Sequence, residues 1–262
     1  MEKGAGQPII LIHGTLSDFR EWQFQIDKFA QNYHIISYSR RYAYPNKWAG
    51  NGDDNTIPNN VADLVERIIK RLNLSPPHVI GHSYGAFIAL YLAFEHPDLV
   101  KTLVLGEPPV LSLIKDNPSF YSKDIKNTFR HSLVREAIDI GDAENAVRIF
   151  LDGVIGIKGY FNQLPSDARA MIMENVKSLS GELTSIITQR FTCEDAQRVR
   201  VPALLIKGEQ SPKLFHNIID ILAGSLPNNE QATIPGESHE LGRMEKPEVF
   251  NRKVLRFLSK HR

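Results

Sequence analysis

Five residues, Gly81-His82-Ser83-Tyr84-Gly85, restrict what this chain can fold into more than any other stretch. An apolar run, His78-Val79-Ile80, precedes them and reads as a buried strand. Tyr84 to Glu95 follows, apolar on nearly every side and ended by His96-Pro97, and reads as a core helix. Gly-x-Ser-x-Gly between a strand and a helix makes a turn so tight that its flanking positions carry almost no side chain. The serine hydroxyl is then left exposed above the sheet edge, the arrangement of a nucleophile elbow.

The rest of the chain supplies the sheet that such an elbow needs. Pro8 to Ile12 is continuously apolar and predicts a buried parallel strand ending at His13-Gly14, and Tyr33 to Ser39 predicts another. Asp18 with Glu21 three residues on predicts a helix start, and Trp22, Ile26 and Phe29 then share a face. Val61, Leu64, Val65, Ile68 and Leu72 form a second amphipathic stripe, and Leu99 to Leu105 gives a strand after the elbow helix. From about Leu111 to Arg198 strand signals vanish, and helices are expected over Ile125–Ile138, Ala143–Ile155, Ala168–Leu179 and Leu183–Phe191. Strands resume at Pro202–Ile206 and Gln231–Pro235, and Pro247 opens a closing helix. The expectation is an α/β fold: a doubly wound, mostly parallel sheet of about six strands with an inserted helical cap. The core would span residues 1–110 and 199–262, and the cap residues 111–198.

Charge excludes some partners. The 31 basic and 30 acidic side chains leave no electrostatic footprint for nucleic acid or an anionic membrane. The lone Cys193 permits no intrachain disulfide and stands outside any metal-ligand spacing, so it reads as a buried or idle thiol. With only Ile9–Ile12 as an early apolar run, the chain reads as cytoplasmic.

A serine hydroxyl attacks only when a base takes its proton, and that base needs an orienting group behind it. Of nine histidines, His239 stands in a loop after the last strand and late in chain order, which suits a base acting on Ser83. His82 is expected to point away from the nucleophile within the turn, and His13 to buttress its loop. The oxyanion formed in acyl transfer needs two donors. The backbone N–H groups of Tyr84, just after the nucleophile, and of Thr15, just after His13-Gly14, are the candidates.

On His13-Gly14, Gly81-His82-Ser83-Tyr84-Gly85, Gly208-Glu209 and Gly236-Glu237-Ser238-His239, the chain resembles the α/β-hydrolase superfamily. The resemblance covers everything but the helical stretch. It implies that two extra N-terminal strands found in relatives are missing here. Many relatives place the orienting aspartate two residues past the glutamate of a Gly-Glu-x-Asp turn, where this chain has Ser211, and serine cannot hold an imidazolium. Some members carry the acid at the end of the strand after the elbow helix, where this chain has Glu107. Glu107 is therefore the favoured acid, with Glu209 the alternative and an acid-less dyad a third possibility. The resemblance further implies a cap lining the substrate pocket with residues such as Phe150, Leu151 and Ile155, and a structural ion pair at Arg40 and Arg41. The expected activity is cofactor-independent and metal-free hydrolysis of small-molecule carboxylic esters through an acyl-enzyme. Lyases, C–C bond hydrolases, perhydrolases and slow-turnover ligand receptors on the same scaffold are the alternatives. The serine nucleophile sets the chain apart from dehalogenase and epoxide-hydrolase relatives, which use aspartate.

Overall fold

The computed structural model describes residues 1–50, 52–114, 128–241 and 247–261. Seven strands form one sheet in the order β1-β3-β2-β4-β5-β6-β7: β1 Glu2–Lys3, β2 Pro8–Ile12, β3 His34–Tyr38, β4 His78–His82, β5 Thr102–Gly106, β6 Ala203–Gly208 and β7 Asn229–Ile234. All neighbours pair in parallel except β1, which runs antiparallel to β3 with Glu2 opposite Ile36. That strand adds one to the six expected. Its two residues are exposed and charged, so no apolar run announces it, and backbone pairing alone makes it a strand.

Continuous apolar runs mark the inner strands because both sheet faces are covered. Ile9, Leu11, Ile35, Ile80 and Val104 pack on one side with Trp22, Ile26, Phe29, Phe250, Val254 and Phe257. These come from a 3₁₀ turn over Phe19–Trp22, helix α1 (Gln23–Phe29) and the closing helix over Pro247–Ser259. Ile10, Ile12, Val79, Leu103 and Leu205 face the other way. There they meet α2 (Ile57–Asp63, continued by a π-helical turn over Leu64–Ile69) and α3 (Tyr84–Glu95). Alternation along each strand thus sends neighbouring residues into separate halves of the core.

Between β5 and β6 the described chain is helical: α4 His131–Asp139, α5 Ala143–Ile155, α6 Tyr160–Gln163, α7 Ser166–Glu174, α8 Leu179–Thr188 and α9 Cys193–Arg198. The helix expected over Ile125–Ile138 falls partly outside the described residues, and α4 carries the remainder. Helix α10 (Lys213–Ser225) then follows β6, and α11 is the closing helix Pro247–Ser259. Cys193 is exposed, so of the two readings of it, buried or idle, the buried one does not hold. No helix among the described residues is long and apolar enough to cross a membrane.

Strand order places the functional site. The chain steps from β2 to β3 on one side, then returns to lay β4 on the other. Loops leaving the carboxyl ends of β2 and β4 therefore diverge to opposite faces and open a crevice between them. Those loops are His13–Asp18 and the elbow.

Candidate active site

Ser83 sits at the turn between β4 and α3 with φ 51° and ψ −121°, a left-handed conformation that a non-glycine residue adopts at a cost. Close packing enforces it. A Cβ at Gly81 would lie 2.3 Å from the Gly85 carbonyl oxygen, and one at Gly85 would lie 2.3 Å from that of Ile12. The Ser83 N–H is held by the Gly106 carbonyl at 2.7 Å, tying the turn to the end of β5.

His239 comes from the loop after β7, and the fold brings it to Ser83. Its Nε2 lies 3.0 Å from Ser83 Oγ, and its Nδ1 lies 2.6 Å from Glu107 Oε2. A carboxylate accepts, so Nδ1 carries the proton and Nε2 is free to accept from the serine hydroxyl. Phe215, at the start of α10, stacks on the imidazole with ring centroids 4.0 Å apart and planes at 19°. The ring is therefore fixed on its edges by hydrogen bonds and on one face by an aromatic.

Glu107 follows β5 in a left-handed conformation, φ 47°, and is fully buried. A carboxylate removed from water must find donors. One oxygen takes His239 Nδ1–H, and the other takes the Gly208 N–H at 2.8 Å, from the end of β6. Glu209, the alternative acid, is exposed and accepts from the Gly236 N–H at 2.8 Å, so it stiffens the turn before His239 without reaching the imidazole. Ser211 is buried and contributes no carboxylate. The structure thus brings Ser83, His239 and Glu107 together and leaves Glu209 outside.

Tyr84 is the first residue of α3, where amides have no intrahelical acceptor. Its side chain is committed elsewhere: the phenol donates to the Asn55 carbonyl at 2.7 Å, and burial raises its pKa. Thr15 lines the cavity that contains Ser83. The loop carrying it is clamped at both ends. The Gly14 N–H donates to Glu21 Oε2 at 3.0 Å, and the Gly14 carbonyl accepts from Arg40 Nη2 at 2.8 Å. Asp18 is buried; burial opposes its ionisation, but bonds from Arg20 and Asn175 outweigh that and hold its pKa below the usual carboxylate range.

His13 buttresses this loop, as expected. Its Nε2 accepts from the Arg40 N–H at 3.0 Å and its Nδ1 donates to the Gly14 carbonyl. Burial, aided by the Arg40 charge, pushes its pKa down to about 3, so the ring stays neutral. Arg40 pairs with Glu182 of α8 at 2.8 Å, both side chains almost wholly buried, and Arg41 pairs with Asp54 and Asp63. Both arginines are structural ion pairs.

His82 departs from expectation. Its ring does not turn away but lines the same cavity as Ser83, its Nε2–H donating to the His239 carbonyl at 2.8 Å. His82 closes β4, and its ring lies against that of His239 with centroids 4.9 Å apart. The helix start expected at Asp18 is present: Asp18 caps the 3₁₀ turn through the Arg20 N–H, and Glu21 in that turn accepts from the Gly14 N–H. Phe215 lay on an evident apolar face, but nothing in the sequence aligned it with His239.

The cavity over Ser83 measures about 70 Å³ and is roofed by Phe150, Leu151 and Val154 of α5 and by Met171 and Ile172 of α7. Outside it lies a larger vestibule of about 500 Å³, which shares Tyr160, Leu164, Ala168, Met171 and Glu240 with the inner cavity and reaches Ile155. Phe150 and Leu151 thus line the inner space and Ile155 the outer.

A sheet of this order with an elbow serine, a late histidine and a strand-end carboxylate defines the α/β hydrolase fold, and the chain belongs to that family, whose pattern it matches over residues 7–242. Among characterised relatives it is similar to the (E)-2-((N-methylformamido)methylene)succinate hydrolase of Acinetobacter baylyi, at 24% identity over 98% of this chain and 92% of that one. It is also similar to epoxide hydrolase 3 of Xenopus tropicalis, at 25% identity over 95% of this chain and 71% of that one. The solved bromoperoxidase structure from Bacillus anthracis superposes with a TM-score of 0.82 at 20% identity, covering 99% of this chain and 94% of that one.

Proposed function

We propose that this protein is a cofactor-independent serine hydrolase of small-molecule carboxylic esters, working through an acyl-enzyme. The observation that carries the proposal is the hydrogen-bonded line Ser83 Oγ–His239 Nε2, His239 Nδ1–Glu107 Oε2, at 3.0 and 2.6 Å. Ser83 Oγ attacks the ester carbonyl carbon as its proton passes to His239 Nε2. Glu107 holds the imidazolium that forms, and the Thr15 and Tyr84 N–H groups receive the oxyanion. The tetrahedral adduct collapses, the C–O bond to the alcohol breaks, and the leaving oxygen takes the proton from Nε2. Water then attacks the acyl-enzyme with His239 again as base, releasing the acid and restoring the Ser83 hydroxyl. The helices between β5 and β6 act as a cap whose apolar roof meets the substrate.

Two relatives are named as a hydrolase of (E)-2-((N-methylformamido)methylene)succinate and as an epoxide hydrolase. The serine at position 83 favours the acyl route over the epoxide one, since attack on a carbonyl is what an oxyanion-facing serine accomplishes. A fluorophosphonate probe checks the assignment directly. It should add one phosphonyl group to the tryptic peptide containing Ser83 and leave Ser83→Ala unlabelled. Equal labelling of both proteins would discard the proposal.

A further inference from the structure

The space over Ser83 is unequally divided. The inner cavity of about 70 Å³ has room for roughly five water-sized positions, whereas the vestibule of about 500 Å³ is the size of a whole ligand pocket. The two adjoin along Tyr160, Leu164, Ala168, Met171 and Glu240, which line both.

The chemistry assigns one arm of an ester to each space. A tetrahedral centre on Ser83 Oγ directs its oxyanion to the Thr15 and Tyr84 amides and its leaving oxygen to His239 Nε2, which must protonate it. The leaving group therefore departs beside His239. Gly236, Glu237, Ser238 and Glu240, which flank His239, all line the vestibule. The acyl chain is left the remaining direction, towards Leu16, Phe150, Leu151 and Val154, which line the inner cavity alone.

Neither space is easily resized. Phe150, Leu151 and Val154 are buried, and the Phe150 ring packs on Phe129, which packs in turn on Phe215, the ring stacked on His239. A longer acyl chain would have to displace these core side chains. The vestibule wall is fixed too. Ser238 Oγ donates to the Ile155 carbonyl at 2.6 Å, joining the histidine loop to α5, and the Gln210 N–H donates to the Glu237 carbonyl at 2.8 Å. Its outer part is apolar, because Phe24 and Ile157 line it while 46% and 43% exposed. Among the described residues lining it Arg20 is the only cation, and Asp18 and Glu174 already pair with it. Exposed apolar side chains of this kind gain by being covered with hydrocarbon.

Resting on the serine-hydrolase reading, we infer that the substrate joins a short acyl group, acetyl to butyryl, to a longer apolar alcohol whose chain lies along the vestibule and reaches Phe24 and Ile157. A butyryl group has five heavy atoms, which matches the inner cavity, and a hexanoyl group has seven.

Hexyl acetate and ethyl hexanoate provide the test, being isomers of nearly equal hydrophobicity with their arms exchanged. Acid release is followed by pH-stat, and each rate is normalised to hydroxide-catalysed hydrolysis. The parent should favour hexyl acetate about thirtyfold in kcat/KM, the worth of two to three buried methylenes at roughly fourfold each. Leu151→Ala should lower that ratio about fivefold by admitting the longer acyl chain. Ile157→Asp, at an exposed position, should lower the preference for hexyl acetate over ethyl acetate about fivefold. Ratios are insensitive to the fraction of folded enzyme. A parent ratio of one or less, or ratios unchanged in both variants, overturns the inference while leaving serine hydrolysis intact. So does failure to cleave hexyl acetate by a protein whose Ser83 takes the fluorophosphonate label. Absence of both labelling and cleavage discards the hydrolase reading and this inference together.

Discussion

The floor and roof of the cavity over Ser83 are built by opposite means. On the floor, each group has one position: Ser83 through a forced left-handed turn, His239 through two hydrogen bonds and a stacked ring, Glu107 through two donors. On the roof, Phe150, Leu151, Val154, Met171 and Ile172 share only apolarity and approximate size. Directional bonds specify atoms, whereas burial specifies volume. In the proposed hydrolase, the floor would therefore set which reaction occurs, and the roof what reaches it.

That contrast is breakable, most sharply at the nucleophile. Ser83→Ala should cut kcat on short p-nitrophenyl esters roughly 10⁶-fold with little change in melting temperature. A variant within tenfold of the parent would mean that the floor does not carry the reaction. Glu107→Gln should lose about 10⁴-fold in kcat, while Glu209→Gln should stay within about threefold, since it holds only the Gly236 amide. The reverse order would reassign the acid.

A smaller effect probes the joint between floor and roof. Arg40 grips the floor carbonyls of His13 and Gly14 and reaches across to Glu182 in α8. Arg40→Met leaves the buried Glu182 carboxylate without its countercharge, held only by the Asn55 amide, so urea unfolding should show a loss of about 3–5 kcal/mol. Adding Glu182→Leu should recover much of it, and no recovery would mean that the pair does not couple the two regions.

Acid should weaken the fold in a defined window. Burial lowers the pKa of His13 to about 3 and that of His78 to about 4, against 6.5 when unfolded. The unfolded chain therefore binds more protons below pH 6.5. Stability from these rings is complete above that value and is lost progressively as pH falls towards 4 and then 3. Chemical denaturation at pH 7, 5.5 and 4.5 reads this slope. A flat profile would show that the rings are not held neutral. The mildest change belongs to the roof: Met171→Ala should alter kcat/KM by less than about tenfold and shift preference towards bulkier esters. A loss equal to that of Glu107→Gln would erase the distinction drawn between the regions.

The same contrast explains what could be read from the chain alone. Ser83 was legible because its turn demands glycines at fixed offsets, and His239 because its loop closes the last strand. Glu107 emerged from the resemblance: Ser211 stands where many relatives have the acid, and Glu107 where some members carry it instead. His82 was misread because it serves a partner on another loop, the His239 carbonyl, and sequence spacing carries no record of it. Two exposed charged residues forming β1 left no pattern either.

Gly208 deserves a different kind of scrutiny from the residues that exchange protons. Its amide holds Glu107, and a Cβ there would stand 2.4 Å from the carbonyl oxygen of Ser238, directly before His239. Adding one methyl group would displace acid and base together without altering either. An activity screen would then score an inert spacer as though it were a reactive group, and only a measurement of imidazole geometry would tell the two apart.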